Sequence, residues 1–308
     1  MPPKSSFSDS VSRFVFEAGA VRGAVVSLDA CRTEIIACHP YPPAIARVLS
    51  ELLAASALLA STLKFNGSLI VQLQGEGPLR LLVVECDADL NLRATAQWKA
   101  DIEALPDGAA LAVLAGGPQR GRLAITLDPR NGEPIYQGIV ALEATDIASL
   151  IQHYLETSEQ ISSRLLITSN ADRVRGLLLQ RLPGGTESDD LLWRHAQERM
   201  GSLDTGALAG SSSVAAFLTS QFPEDDLRLF NSHPARFACS CSQERVENAL
   251  RIVGQVEVED ILAEQGEVSV TCEFCNRRYA FAPADARAVF AEPRLHEGVA
   301  TQVRTDPR

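Results

Sequence analysis

Hydrophobic and polar residues alternate in many short runs of the first part of the chain, and this period of two predicts β-strands. Turn-forming residues separate the runs, as the loop from Asp128 to Pro134 illustrates. The predicted strands fall within residues 11–28, 68–74, 79–86, 92–98, 121–127, 135–142, 165–169 and 176–182. Their number and close spacing predict extensive β-sheet structure in residues 1–182.

Two segments of the same region have helical periodicity instead. The run 43–64 is strongly apolar and begins at Pro42-Pro43, a helix start signal. It carries Arg47, Glu51 and several Ser and Thr residues, which favour a buried core helix over a membrane span. The second helix is predicted from apolar residues at helical spacing, namely Ile147, Leu150, Ile151, Tyr154 and Leu155. Strands and helices together predict an N-terminal mixed α/β core domain, residues 1–182.

The pattern changes at Pro183-Gly184-Gly185. Residues 183–232 are more polar and Gly-interrupted, with short helices such as 213–222, and predict a helical linker of modest stability. Residues 233–292 predict a small α+β domain, in which two helices precede a hairpin formed by the strands 267–271 and 279–281. The tail, residues 293–308, is predicted to be disordered. The expected fold class is therefore α+β.

Composition narrows the possible partners. The chain has 308 residues, 46% of them hydrophobic, and a net charge of −11. From His233 onward it holds nine Arg and no Lys against twelve Asp and Glu, so the C-terminal segment is also acidic. Like-charge repulsion disfavours binding to nucleic-acid phosphates. The polar stretch after Met1-Pro2-Pro3-Lys4 is not a secretory signal, so we expect a cytoplasmic protein that binds neither nucleic acid nor membrane.

The chain has seven cysteines, which are its candidates for metal binding and redox chemistry. In a reducing cytosol they are expected as free thiols or metal ligands rather than structural disulfides. Cys31, Cys38 and Cys86 lie in or near apolar runs and are expected to be buried small hydrophobes. Cys38 adjoins His39, but no second ligand pair accompanies them.

The other four cysteines form two close pairs, Cys239-x-Cys241 and Cys272-x-x-Cys275, separated by thirty residues. Four thiolates satisfy the tetrahedral preference of Zn²⁺, and two close pairs framing one small module indicate one zinc ion per chain. Spacing alone leaves a structural zinc ribbon and a redox site equally open. Accessible zinc-bound thiolates can be oxidised, and the adjacent Arg277 and Arg278 are expected to favour thiolate over thiol, so we favour the redox role.

Several further motifs are distributed over nearly the whole chain. They are Tyr41-Pro42, 62–67 (TLKFNG), 71–78 (VQLQGEGP), 136–140 (YQGIV), Ser158-Glu159-Gln160, 237–245 (FACSCSQER), 260–267 (DILAEQGE) and 272–275 (CEFC). In this order they resemble the motifs of the heat-shock protein 33 family, the bacterial 33 kDa redox-regulated chaperonins. The resemblance is weakest in the linker.

The resemblance implies a non-enzymatic stress-response chaperone with a zinc-controlled switch. In the reduced state Cys239, Cys241, Cys272 and Cys275 would hold zinc, and the protein would be inactive. Oxidation would form the disulfides Cys239–Cys241 and Cys272–Cys275, release zinc and unfold the linker. The activated homodimer would then hold unfolding client proteins without ATP.

Three other interpretations of the cysteines were weighed. A thiol-disulfide oxidoreductase using Cys272 and Cys275 would need this pair at a helix start, whereas strand is predicted after it. A structural zinc-ribbon interaction protein fits the spacing alone. A nucleic-acid-binding zinc module is disfavoured by the acidic charge.

Overall fold

The computed structural model describes residues 9–63, 65–117, 119–129, 132–184 and 186–291. The chain separates into two compact units, residues 1–239 and 240–308. The predicted disorder of residues 293–308 lies outside the described residues. The limits of a separate core domain and linker, 1–182 and 183–232, stay predictions.

The elements of the larger unit confirm the α+β class and the strands and helices expected from the hydrophobic pattern. In chain order they are β1 (Ser10–Phe16), β2 (Val21–Leu28), α1 (Ala30–Ile36), α2 (Pro43–Thr62), β3 (Ser68–Gly75), β4 (Leu79–Asp87), β5 (Asn91–Trp98), a 3-10 helix (Ala100–Ala104), α3 (Leu111–Ala115), β6 (Gly121–Asp128), β7 (Tyr136–Ala141), α4 (Ile147–Thr157), β8 (Ser163–Ser169), β9 (Val174–Arg181), α5 (Glu187–Gly201), α6 (Thr205–Gly210), α7 (Val214–Gln221), β10 (Leu227–Leu229), β11 (His233–Pro234) and β12 (Arg236–Phe237).

Helix α2 is the centre of the main core. It is long and apolar enough to cross a membrane, but 83% of its apolar window is buried within the protein, as expected for a core helix. It contacts strands of two sheets, whose strand orders are β10-β1-β2-β9-β8, with β11 also on β1, and β12-β5-β4-β3-β6-β7. Burial around most of the helix explains why its sequence is apolar on nearly every side.

The other face of the first sheet is covered by the helices that follow residue 183. Trp193 of α5, Leu208 of α6 and Phe217 of α7 pack against Phe14 and Phe16 of β1 in a second apolar cluster. The helix predicted at 213–222 is confirmed as α7, whose first turn is capped by the Ser213 side chain. These short helices are therefore stabilised by burial against the sheet rather than by their own length.

A buried arginine also ties this segment to the sheet. The guanidinium of Arg175, on β9, donates to the carbonyl oxygens of Leu208, Ala209 and Ser211 at distances of 2.8–3.1 Å. These carbonyls lie at the C-terminal end of α6, where backbone acceptors lack helical partners. The Arg175 side chain thus provides hydrogen-bond donors for the carbonyls at the end of α6 and holds this end of the helix against β9.

The smaller unit contains α8 (Gln243–Val253), α9 (Gln255–Gln265), β13 (Val268–Thr271), β14 (Arg278–Phe281) and α10 (Pro283–Ala291) within its described residues. Helix α9 ends at Gly266, whose φ of 77° is a left-handed conformation that suits glycine. A separate apolar core is formed by Val246, Leu250, Val258, Leu262, Val268, Phe281, Ala286 and Val289. Eight buried side chains make a small core, and domains with so small a core commonly need further stabilisation, such as a bound metal ion or a disulfide.

Candidate metal centre

The four cysteines of the two close pairs come together in space. The Sγ atoms of Cys239, Cys241, Cys272 and Cys275 all lie within 4.8 Å of one another, and all four side chains are half-buried. A regular tetrahedron with Zn–S bonds of about 2.3 Å has edges of about 3.8 Å. The four sulfur atoms are therefore spaced for a tetrahedral metal ion. Within the described residues, no other group of three or more His, Cys, Asp or Glu side chains has this arrangement.

The first pair sits between a short strand and a helix. β12 pairs in parallel with β5, and the amide of Ala238 donates to the carbonyl of Leu92 at 2.9 Å, which places Cys239 at the end of this ladder. Ser242 then caps α8 by accepting from the amide of Arg245 at 3.2 Å. Because the chain turns from strand to helix within these few residues, Cys239 and Cys241 reach the same sulfur cluster.

The second pair forms the loop of the β13–β14 hairpin. The amide of Cys272 donates to the carbonyl of Arg277 at 2.9 Å, and the amide of Asn276 donates to the carbonyl of Cys272 at 2.8 Å. Asn276 has a φ of 57°, a left-handed conformation that asparagine tolerates better than most residues. This tight turn points Cys272 and Cys275 to one side, as the knuckle predicted from the spacing requires.

A hydroxyl and a cation surround the sulfur atoms of this unit. The hydroxyl of Tyr279 donates to Sγ of Cys241 at 3.1 Å. Arg277 lies beside the same group, and hydrogen bonding to Tyr279, followed by the charges of Tyr279, Cys241 and Cys275, raises the pKa of Arg277. Both groups stabilise thiolate relative to thiol. This position of Arg277 is consistent with the expectation that it stabilises thiolate. The sequence pattern predicts Tyr279 only as a strand residue and gives no sign of its contact with Cys241.

Arg278 takes a different position from the one expected. Its guanidinium donates to Ser269 Oγ at 2.6 Å and forms an ion pair with Glu267, both across the β13–β14 hairpin. Alternate residues of a strand point to opposite faces, so adjacent arginines cannot both face the cysteines. The expectation that Arg278 stabilises the thiolates was therefore wrong.

A second arginine contacts the cluster from β5. Arg93 donates to Glu85 Oε2 through Nε at 2.8 Å and through Nη2 at 2.6 Å, and it also hydrogen-bonds the side chain of Cys239. Burial by itself lowers the pKa of Arg93, but Glu85 and Cys239 outweigh it and raise the pKa. Cys239 thus has a fixed cationic neighbour 146 positions earlier in the chain, a contact that no local sequence pattern contains.

The remaining cysteines lie apart from this chemistry. Cys31 and Cys86 are fully buried as expected, and burial raises the pKa of both thiols, which keeps them protonated and unreactive. Cys38 is only half-buried, so its expected burial was wrong. Its thiol donates to the carbonyl of Glu34 at 3.3 Å, a position near the end of α1 where solvent reaches the side chain.

Replacing Tyr279 by Phe tests the hydrogen bond to Cys241. The ring is kept and only the hydroxyl is lost, so we expect the smaller unit to fold and its zinc affinity to fall about tenfold, the lower end for loss of a group that orients a ligand. Competition with a chromogenic chelator measures this change. Tyr136→Phe, on the edge strand β7, is the matched control and should keep the parental affinity. Equal affinities in the two variants would show that the hydroxyl does not support the site.

The fold and the cysteine cluster define a class: α+β proteins whose mixed core unit is followed by a small unit, with a metal-compatible cluster formed by Cys239 and three cysteines of the small unit. The sequence matches the family described as "Hsp33 protein" over residues 9–282. The chain therefore belongs to the heat-shock protein 33 family.

Individual relatives support this assignment. The chain is 41% identical over 285 residues to a protein named "33 kDa chaperonin" from Methylobacillus flagellatus, covering 92% of this chain and 94% of that protein. It is 40% identical over 283 residues to the 33 kDa chaperonin of Chromobacterium violaceum, again with 92% and 94% coverage. The fold matches a crystal structure of a 33 kDa chaperonin from Thermotoga maritima with a TM-score of 0.78 and 22% identity, covering 92% and 98% of the two chains.

Proposed function

We propose that this protein is a redox-regulated, ATP-independent holdase chaperone of the cytoplasm, inactive when reduced and zinc-bound. The observation that carries the proposal is the cluster of four half-buried thiols within 4.8 Å of one another, next to a small apolar core. Family membership and relatives named as chaperonins support the chaperone part of the proposal, and a non-enzymatic role with it.

The donor set fits one Zn²⁺ ion per chain. Four thiolates match the preference of zinc for sulfur ligands, and Arg93, Arg277 and the Tyr279 hydroxyl offset their negative charge. Zinc bound in this way contributes about 10–16 kcal/mol of folding free energy to small modules. With only eight residues in its apolar core, the smaller unit is expected to depend on this contribution.

Oxidation would remove the ligands. Two zinc-bound thiolates lose two electrons to form each disulfide, and one hydrogen peroxide accepts these electrons, with two protons from solvent, to become two water molecules. Two peroxide molecules therefore convert the four cysteines into Cys239–Cys241 and Cys272–Cys275, and Zn²⁺ is released because disulfide sulfur is a poor ligand. This pairing follows the family resemblance.

Unfolding caused by the loss of zinc would spread to the helices α5–α7 through the segment that connects them to Cys239. Cys239 follows β10, β11 and β12, which are only two or three residues long and connect it to α7. Strands this short are held by few ladder hydrogen bonds and open readily. Undocking of α5–α7 would expose the aromatic face of the first sheet, including Phe14 and Phe16, as a surface for unfolding clients. The activated form is proposed to act as a homodimer, with no role for nucleic acid or membrane.

Parallel measurement of zinc release and client aggregation tests the proposal. Reduced protein treated with peroxide at raised temperature should release about one zinc ion per chain, the stoichiometry of a four-thiolate site. The same sample should suppress light scattering by a heat-denatured client without ATP, and reductant should prevent both changes. Zinc release with undiminished client aggregation would contradict the chaperone switch and leave a structural site.

Peptide mapping tests the disulfide pairing separately. Trypsin cleavage after Arg236, Arg245, Arg251 and Arg277 places the two cysteine pairs on separate peptides, 237–245 and 252–277. We expect each peptide from oxidised protein to be lighter by two hydrogen atoms and to remain unlinked. The competing outcome is a crosslinked peptide pair, because Sγ of Cys241 lies 3.4 Å from Sγ of Cys275. Mapping after partial oxidation identifies the disulfide that forms first.

A further inference from the structure

A second candidate site lies in the larger unit, on the face of the first sheet that packs against α2. It is a cavity of about 300 Å³, at the lower end of the range for small-molecule sites. Its apolar walls include Val15, Ala24 and Leu178. Two of its lining residues face solvent in part: Leu63 is 38% exposed and Phe230 is 41% exposed. Ala24 and Leu178 belong to the α2 core, so this face is opposite the one that α5–α7 cover.

Strand register places two arginines together on this wall. In the β1–β2 ladder Arg13 is opposite Ala24 and Val15 is opposite Arg22, so Arg13 and Arg22 are diagonal neighbours on one face. Gln180, on β9, is opposite Arg22 and accepts from its Nε at 3.0 Å. Arg13, Arg22 and Gln180 are therefore neighbours in the lining of a mainly apolar cavity.

Within the described residues, no carboxylate forms an ion pair with this arginine pair, Arg13 and Arg22. Burial, and then the charge of Arg13, lower the pKa of Arg22, but a guanidinium remains protonated in proteins. The two neighbouring cations repel each other, and a bound anion would offset this repulsion.

We propose that this cavity binds a free fatty acid, with its carboxylate between Arg13 and Arg22 and its acyl chain along the apolar wall. Arginine matches a carboxylate with paired N–H donors, and an acyl chain needs no polar partner. A phosphate ion would leave the apolar wall in contact with water. The site is independent of the redox function, because none of the four clustered cysteines lines it.

The two hydroxyl groups in the lining argue against a peptide as the occupant. The hydroxyls of Ser61 and Thr62 already donate to carbonyls of α2, at 2.7 Å to Leu58 and 2.9 Å to Leu59. A bound peptide would bring backbone amide and carbonyl groups against side chains that cannot pair with most of them, and unpaired buried amides are costly. An acyl chain avoids this cost.

Calorimetric titration of the reduced, zinc-loaded protein with decanoate, below its micelle concentration, tests the proposal. We expect one decanoate per chain, with affinity that falls as salt is added. Decanol, which lacks the charge, should bind at least tenfold more weakly, and inorganic phosphate should not compete. Equal binding of decanol, several decanoates per chain or displacement by phosphate would overturn the proposal, as would tighter binding of an apolar tetrapeptide with a free C-terminal carboxylate.

Variants locate the binding in this cavity. The double variant R13Q/R22Q should bind decanoate at least tenfold more weakly while keeping its thermal midpoint, since it removes like charges. Arg80→Gln, an exposed arginine on β4 outside the cavity, is the control and should bind as the parent does. Leu63→Trp places a larger side chain in the lining of the cavity, and it should obstruct the cavity and abolish decanoate binding while both arginines remain. Parental affinity in either R13Q/R22Q or Leu63→Trp would place decanoate elsewhere and refute the assignment.

Discussion

Replacing Cys272 by Ser is expected to abolish tight zinc binding and, under the proposed function, to allow client holding without an oxidant. Sharing the folding free energy of about 10–16 kcal/mol among four ligands assigns about 2.5–4 kcal/mol to each, which corresponds to a loss of about 100-fold to 1,000-fold in zinc affinity. The smaller unit, with its eight-residue core, should then unfold under conditions in which the parent is stable. Chelator competition measures the first effect, and client light scattering without peroxide measures the second.

The larger unit is expected to remain folded in this variant, because its main core around α2 shares no residue with the core of the smaller unit. Cys38→Ser is the matched control, since Cys38 is also half-buried but lies outside the sulfur cluster. It should keep parental zinc affinity and remain inactive when reduced. Global unfolding of Cys272→Ser would contradict the independence of the two cores.

Replacing Phe217 by Ala is expected to activate the protein without oxidation and without loss of zinc. Phe217 is fully buried between α7 and the sheet, and truncating such a side chain costs about 3–5 kcal/mol. If α5–α7 undock as a segment, this cost raises the undocked fraction by about two to almost four orders of magnitude. Reduced, zinc-bound Phe217→Ala should therefore suppress client aggregation, and trypsin should cleave it rapidly after Arg194 and Arg199 in α5.

Leu191→Ala provides the control for Phe217→Ala. Leu191 also lies in a helix of this segment, but its side chain is 56% exposed. Its truncation should leave both protease resistance and the inactive reduced state unchanged. A Phe217→Ala protein that is cleaved in α5 yet does not hold clients would separate undocking from activity, and the client surface would then have to lie elsewhere.

The elements that were predicted from the sequence share one property: the residue pattern that indicates each of them lies within a single short segment of the chain. The alternation in β3, the apolar runs of β4 and α2 and the spacing of Ile147 to Leu155 in α4 each arise because burial follows a pattern within one short segment. The Cys272-x-x-Cys275 knuckle is local in the same sense, since its own backbone hydrogen bonds form the turn.

Elements held by distant partners were missed. Helix α1 has no capping side chain of its own, and Asp9 accepts from the amides of Asp29 and Cys31, the latter at 2.6 Å. Helix α10 is held by Arg251, which donates to the carbonyl of Val289 at 2.9 Å, and by the ion pair of Arg287 with Glu259. The short strands β10, β11 and β12 form only through pairing with β1 and β5.

The sequence by itself determined the α+β class, the family and the four cysteines of the candidate site. Local hydrophobic patterns, motifs, and the type and spacing of possible ligands can all be recognised in the sequence without knowledge of the fold. Only the tertiary structure decided what surrounds those cysteines. Tyr279 and Arg93 reach Cys241 and Cys239 across 38 and 146 positions of the chain, while Arg278 turns away to Glu267. Strand pairing and face alternation set these contacts, so they become visible only when the sheets have formed.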